Sequence, residues 1–284
     1  MRNDFNLVPN PKRYGQSGGS FVFKPGVKVF VQPDDLANRP AGLEYLMAAI
    51  RKKTGIQMEA GAFSKKRPFH SLLITGGEDH WPETFSLQGL DGVSQSGDAH
   101  VLRVSKDSIA MAGNGASGLH YAMQTLLQMI DASGETRSVP GCDICDWPDM
   151  EKRGIHLCFQ YYGRINLSFV KRLIKAIAAN KMNYLELGVD AALQYDYDRS
   201  ISESWALSKE EMRGLVDFAR RHFVEITPGI QSLGHVSHSI FHNSRDLAEA
   251  PGTNTYCPNN PRVYEKLFAI LDDLRVPNSG LLLQ

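Results

Sequence analysis

The first half of the chain is written in short alternating stretches, the second in runs of apolar residues spaced three and four apart. Phe21-Val22-Phe23 and, beyond a Lys24-Pro25-Gly26 turn, Val27-Lys28-Val29-Phe30-Val31 place apolar side chains at nearly every second position, which predicts strands. Leu43, Leu46, Met47 and Ile50 recur at helical spacing with Gly55 behind them as a cap, so a helix is expected over residues 43–53. Ser71-Leu72-Leu73-Ile74-Thr75 reads as a buried strand stopped by Gly76-Gly77. Residues 100–104 and 108–112 read as a hairpin across Lys106-Asp107, and residues 116–130 as a long apolar helix on which Gln124 and Gln128 share a surface or seam face. Together these elements predict a small α+β domain over residues 1–145, with helices covering one face of the strands.

Pro140 and Pro148 interrupt regular structure next, and the stretch around them reads as an extended linker. From Gly154 the period changes. Strands are expected over residues 155–159, 182–189 and 224–230, alternating with helices over 168–180, 209–222 and 261–274, the second of which opens on Ser208 as its cap. Three β/α units in succession over residues 146–284 predict a parallel sheet or a (β/α) barrel. Chemistry in such folds sits beyond the C-terminal ends of the strands. Those positions hold Tyr161, Tyr162 and Arg164, then Asp190, Tyr195 and Asp196, then Gln231, Gly234 and His235.

Composition narrows the function. With 42% hydrophobic and 22% charged residues the chain is a soluble globular type, and 31 basic against 31 acidic side chains leave no field to hold nucleic acid. The start, Met1-Arg2-Asn3-Asp4-Phe5-Asn6, has no apolar core for a signal peptide, and no run approaches the ~18 apolar residues of a membrane span. A cytoplasmic location without membrane contact is expected, or a secreted or periplasmic one if a signal precedes this sequence. Cys142-x-x-Cys145 has the spacing of a redox pair or half a zinc site, but Cys158 and Cys257 complete no second pair, and the thiols read as incidental groups in the linker. Gly113-Asn114-Gly115 lacks the Lys-Ser/Thr of a phosphate loop and reads as a turn. Two readings are open for Arg153 at the mouth of the first strand of the series: a rigid donor fork for sugar hydroxyls or a carboxylate, or an ion pair with Asp146 or Asp149.

Several motifs then fall in a familiar order. Gly97-Asp98-Ala99-His100-Val101-Leu102-Arg103-Val104 and the helix from Gly118 to Gln128, followed by Asp146-Trp147-Pro148, Arg153-Gly154, Lys181-Met182-Asn183 and Pro228-Gly229-Ile230-Gln231-Ser232-Leu233-Gly234-His235, resemble glycoside hydrolase family 20, the β-N-acetylhexosaminidases, in its hexosaminidase D-like branch. The resemblance implies a small α+β domain followed by the first half of a (β/α)8 TIM barrel. It also implies removal of terminal β-linked N-acetylglucosamine or N-acetylgalactosamine by a substrate-assisted retaining mechanism, in which the substrate's own acetamide is the nucleophile, with no metal or organic cofactor. Arg153 would bind the terminal sugar with Tyr195, Asp196 and Gln231 around it, and Asp190 and His235 would form a relay that tunes the acid. Cys158 stands where the family carries an Asp, and Glu186-Leu187-Gly188-Val189-Asp190 replaces its His-x-His signature. The His-x-Gly-x-Asp-Glu motif with the catalytic pair does not occur in the 284 residues, so the chain is expected to be C-terminally truncated, inactive alone and prone to self-association through an open half barrel. Two other functions compete: a non-catalytic glycan-binding remnant, and a zinc-dependent barrel hydrolase using His235, His238 and His242.

Overall fold

The computed structural model describes residues 7–31, 42–62, 71–75, 96–130, 137–158, 163–232, 234–235 and 244–274. It divides into two compact units, one of Met1–Glu151 with Ala178–Lys181, the other of Lys152–Ile177 with Met182–Gln284.

The first unit carries β1 (Arg13–Val22), β2 (Lys28–Val31), α1 (Leu43–Thr54), β3 (Glu59–Ala62), β4 (Ser71–Thr75), β5 (His100–Val104), β6 (Ser108–Gly113), α2 (Ala116–Met129) and β7 (Ser138–Asp146). Its strands form one sheet in the order β1-β7-β5-β6-β4-β2-β3, in which β2 and β3 run parallel and the other neighbours antiparallel. Leu43, Leu46 and Ile50 of α1 and Leu119, Met123 and Leu126 of α2 share a core with Val29, Val31, Leu102, Val104 and Ile144 from one face of the sheet. Each such side chain contributes about 1.5–3 kcal/mol by leaving water. Gly113 and Gly118 let the start of α2 press against the strands: a Cβ at Gly113 would meet the Leu119 nitrogen at 2.2 Å, and one at Gly118 the Ala99 carbonyl at 2.4 Å. Close packing therefore accounts for the glycines of the Gly113-Asn114-Gly115 turn region.

The expected linker is a strand. β7 lies between β1 and β5, and Pro140 is tolerated there because the register of β1 shifts between Gln16 and Ser20, across from it. Cys142 and Cys145 sit three apart in this strand and so face opposite sides, Cys142 in the main core and Cys145 in a small cluster with Ala99, Val101 and Ala112 on the other face. Burial pushes the Cys142 thiol up to about 12 and raises that of Cys145 as well, so these are unreactive packing groups rather than linker thiols. Gln124 is likewise no surface group: it is buried, with its Nε2 3.2 Å from His120 Nε2.

The second unit alternates strictly: β8 (Gly154–Cys158), α3 (Leu167–Ala179), β9 (Tyr184–Gly188), α4 (Lys209–Arg220), β10 (Glu225–Gly229) and α5 (Pro261–Leu274). The three strands are parallel in the order β10-β9-β8. Their pairing puts Ile155, Leu185 and Ile226 in one row and Leu157, Leu187 and Pro228 in another, and these rows make the apolar face. Buried stripes on α3 (Val170, Ile174, Ile177) and α4 (Met212, Leu215, Val216, Ala219) supply the complementary surface. Ser208 and Glu211 close a capping box at the start of α4, each side chain bonding the other's backbone N–H. The returns from α3 and α4 to the sheet are built alike. Lys181 and Phe223 take left-handed φ of 60° and 56°, and the N–H groups of Met182 and Val224 reach back to the Ile177 and Ala219 carbonyls at 3.1 and 3.0 Å. This is the Schellman closure with a side chain where glycine is usual, at a cost of about 1 kcal/mol or more.

Candidate active site

The other face of the parallel sheet is polar. Gly154, Tyr184 and Glu225 form its first row, His156, Glu186 and Thr227 its second, and Cys158, Gly188 and Gly229 its third, nearest the C-terminal ends. His156 Nδ1 stands 3.7 Å from Glu186 Oε1, with both side chains about half exposed. The third row carries no bulk on β9 or β10, so a Cβ at Gly229 would stand 3.2 Å from Glu186 Oε1. The Glu186 carboxylate thus faces an open shelf directed toward the strand ends. At the opposite end Gly154 is obligatory, since a Cβ there would meet the Tyr184 carbonyl at 1.9 Å.

Asp190 lies just beyond β9, completely buried, with φ of 30°. Its Oδ1 accepts the Gln231 backbone N–H at 2.8 Å, and its carbonyl accepts the Tyr195 hydroxyl at 2.9 Å. Backbone strain at a non-glycine residue persists only where surrounding contacts over-determine it, and it concentrates at working sites. His235 follows β10 with φ of 57° but stands exposed, and among the described residues no hydrogen bond joins it to Asp190. The expected relay pair is not joined by a hydrogen bond among the described residues; Asp190 Oδ1 accepts from the Gln231 amide instead.

Tyr195 is not placed to touch a sugar. It is 1% exposed, its hydroxyl is committed to Asp190, and burial with the charges of Asp190 and Asp273 raises its pKa well above 10. It positions Asp190 instead. Asp196 is exposed and belongs to an ion network: Lys209 Nζ donates to Asp196 Oδ2 and to Asp273 Oδ1, both at 2.7 Å, while the Asp196 N–H bonds Asp273 Oδ2 at 2.9 Å. The hydrogen bond and charge of Lys209 lower the Asp196 pKa, and burial of Lys209 is outweighed by its two carboxylates, which raise its own. With Lys266 Nζ 3.3 Å from Asp198 Oδ2, this network bolts the long loop after β9 to α4 and α5. Arg164 is engaged by Glu211 of the capping box.

Arg153 precedes β8, at the end of the sheet opposite Asp190 and Gln231, where its N–H donates to Asn183 Oδ1 at 2.8 Å and its carbonyl accepts from Asn183 and Tyr184. The two aspartates offered as its partners are taken up elsewhere, Asp149 by Lys12 and Asp146 by Lys181. Tyr161, Tyr162, His238 and His242 lie outside the described residues, and among the described residues no group of three His, Cys, Asp or Glu side chains is arranged to hold a metal. No described helix is long and apolar enough to cross a membrane. The loop after β10 is closed by bridges pairing Gly234 with Thr255 and Ala248 with Tyr256, which is buried. Nothing in the hydrophobic pattern signalled that return; the polar row was legible from the alternation Ile155-His156-Leu157 and Leu185-Glu186-Leu187.

The family model described as glycosyl hydrolase family 20, domain 2, matches residues 4–147. A β-hexosaminidase of Porphyromonas gingivalis is 25% identical over 256 residues, covering 81% of this chain and 30% of that protein. A β-hexosaminidase B of Pseudoalteromonas piscicida is 24% identical over 174 residues, 50% of this chain and 22% of that protein. Among solved structures, the family 20 β-N-acetylhexosaminidase of Streptomyces coelicolor A3(2) superposes with a TM-score of 0.69 at 19% identity, covering 94% of this chain and 56% of that one. The exo-β-N-acetylglucosaminidase of Vibrio harveyi in complex with N-acetylglucosamine gives 0.68 at 21% identity, covering 94% and 44%. The chain thus spans under a third of the length of the two curated relatives and about half that of these structures.

Proposed function

Since the chain belongs to glycosyl hydrolase family 20, we propose that it provides the small α+β domain (residues 1–145) and the first part of a (β/α)8 catalytic domain (residues 146–284) of an exo-β-N-acetylhexosaminidase. The substrate class is a glycan ending in β-linked N-acetylglucosamine or N-acetylgalactosamine. Three parallel strands in β/α succession, with a polar inner face, support the half-barrel reading. The observation that carries the site is Asp190: buried, left-handed, and fixed by the Gln231 amide and the Tyr195 hydroxyl at the C-terminal end of β9. In the substrate-assisted mechanism the acetamide carbonyl attacks the anomeric carbon while an Asp orients the amide and a Glu protonates the leaving oxygen. That Asp-Glu motif is absent from the 284 residues, so this chain contributes recognition and positioning.

The test uses a polypeptide carrying residues 1–284 together with a His-x-Gly-x-Asp-Glu segment. In it, Asp190→Asn should lower kcat by about 10²-fold or more on an aryl β-N-acetylglucosaminide. Full activity in Asp190→Asn would sink the assignment. The half-barrel part of the proposal also predicts association of the 284-residue chain, because β8 and β10 are edge strands among the described residues. Sedimentation as a strict monomer would remove that expectation.

One observation favours a second reading. Glu186, over the glycine shelf and beside His156, is a carboxylate open to a ligand, whereas Asp196 is held by Lys209. If this chain alone cleaves substrate, Glu186 is the acid to remove first.

A further inference from the structure

In the helical layer of the second unit, cations from two helices gather around one aromatic ring. Lys171 and Lys175, one turn apart on α3, hold their Nζ atoms 5.5 and 5.7 Å from the centre of the Phe218 ring on α4, and the guanidinium of Arg221, just beyond α4, lies 6.0 Å from it. A phenyl ring attracts cations through its quadrupole but has no net charge, so these contacts place the charges without neutralising them. Carboxylates do not neutralise them either. α3 contains no Asp or Glu, Asp217 next to Phe218 is 4.0 Å from Arg220, and among the described residues neither lysine nor Arg221 has an acidic partner. In a chain with 31 basic and 31 acidic side chains this is a local excess of positive charge. His222 lies against the same ring at 4.5 Å and donates through Nδ1 to the Phe218 carbonyl at 2.9 Å. Burial, and beyond it the charges of Lys175 and Arg221, lower its pKa against the pull of that bond.

We propose that Lys171, Lys175 and Arg221 form a binding site for one multivalent tetrahedral oxyanion, a phosphate or sulfate group, between α3 and the end of α4. A single carboxylate would balance only one of these charges. A phosphate or sulfate group carries more than one charge and presents oxygens in several directions, which suits donors arriving from two helices. The lysines serve it as point charges and Arg221 as a planar fork. Lys175 and Arg221 are exposed and Lys171 is partly buried, so the group approaches from solvent. Charges open to water attract one another weakly, and a Kd on the order of millimolar at physiological ionic strength is expected. The site is independent of Asp190 and of the glycosidase reading.

The experiment is equilibrium dialysis of the 284-residue chain against labelled inorganic phosphate near neutral pH and at fixed ionic strength, with the His222 imidazole followed by NMR. Saturable binding is expected, displaced by sulfate and not by acetate. Lys171→Gln combined with Lys175→Gln should weaken it about ten-fold or more, because two of the three charge-assisted contacts are lost. Arg213→Gln, which removes a cation of α4 outside the cluster, should leave it unchanged. Bound phosphate should raise the His222 pKa, since the charges of Lys175 and Arg221 are then offset. Glycerol phosphate as competitor separates the two sources of the group: tighter binding than inorganic phosphate assigns the site to a phosphorylated molecule, and equal or weaker binding to the free ion. No saturable binding, equal displacement by acetate, binding that survives the double lysine variant, or an unmoved His222 pKa at saturation would each overturn the proposal.

Discussion

Among the described residues each unit buries one aspartate at the end of a strand, and the two are held by different bonds. Asp146, closing β7 in the first unit, is matched with charge: Lys181 Nζ donates to Oδ2 at 2.7 Å, and the Lys12 and Trp147 amides donate to Oδ1. His100 Nε2 lies 3.9 Å from the same carboxylate, with its Nδ1 on the Asp98 carbonyl. Asp190, beyond β9 in the second unit, has its Oδ1 on a neutral amide, sits on strained backbone and borders a polar sheet face. Charge matching of the first kind locks a structure, because neither ion can leave without stranding the other. The second arrangement fixes a buried carboxylate through a backbone amide on strained backbone, the kind of over-determined geometry that concentrates at working sites.

The contrast is broken most severely by removing the cation. Lys181→Ala should cost about 3–5 kcal/mol, because the Asp146 charge is left buried and unmatched, and replacing Asp146 by Asn in the same chain should restore much of it. Urea denaturation of the single and double variants measures both. A single-variant loss below about 1 kcal/mol would mean that water reaches Asp146.

Next in size is a pH effect confined to the first unit. Burial, and then the Lys181 charge, lower the pKa of His100 from 6.5 to about 4, against the pull of Asp146. Between these values the unfolded chain binds a proton that the folded chain refuses. The stability contributed by neutral His100 is therefore complete above pH 6.5 and lost as pH falls through 4, up to about 3 kcal/mol in all. Tyr121 and Thr125 face the same imidazole and do not titrate in that range. His100→Gln should flatten this part of the stability curve; an unchanged slope between pH 6.5 and 4 would place the titration elsewhere.

Smaller effects belong to the second unit. Ser208→Ala removes half of the capping box and should cost about 1 kcal/mol, seen as a lower Tm by calorimetry. Asp190→Asn keeps an acceptor for the Gln231 amide and should change stability by less than about 1 kcal/mol, which sharpens the difference from Asp146. A loss as large as that of Lys181→Ala would make Asp190 a structural ion like Asp146.

The sequence shows most where one physical signal acts alone. α5 runs from Pro261 to Leu274 as expected because proline suits a first helical turn and Val263, Ile270 and Leu274 keep the helical period. The hairpin of β5 and β6 and the Ser208 cap were legible for similar reasons. β7 was hidden because Pro140 and Gly141 signal a break, and only the irregularity in β1, more than 100 residues earlier in the chain, makes room for them. The Asp146 to Lys181 pair joins two motifs 35 positions apart, and no local pattern predicts it. For the site, the spacing placed Asp190 and Gln231 at strand ends, but it could not show that Tyr195 turns inward or that Asp196 turns out to Lys209.

The most direct test of the central claim, that this chain holds the recognising and positioning half of a hexosaminidase site, is turnover by the purified 284-residue chain on an aryl β-N-acetylglucosaminide near neutral pH. The predicted result is release indistinguishable from the uncatalysed background, because the His-x-Gly-x-Asp-Glu motif whose Glu donates a proton to the leaving oxygen, typically worth about 10²- to 10⁴-fold, does not occur in the 284 residues. Robust release that disappears in Glu186→Gln would contradict it and move the chemistry to the polar row of the sheet.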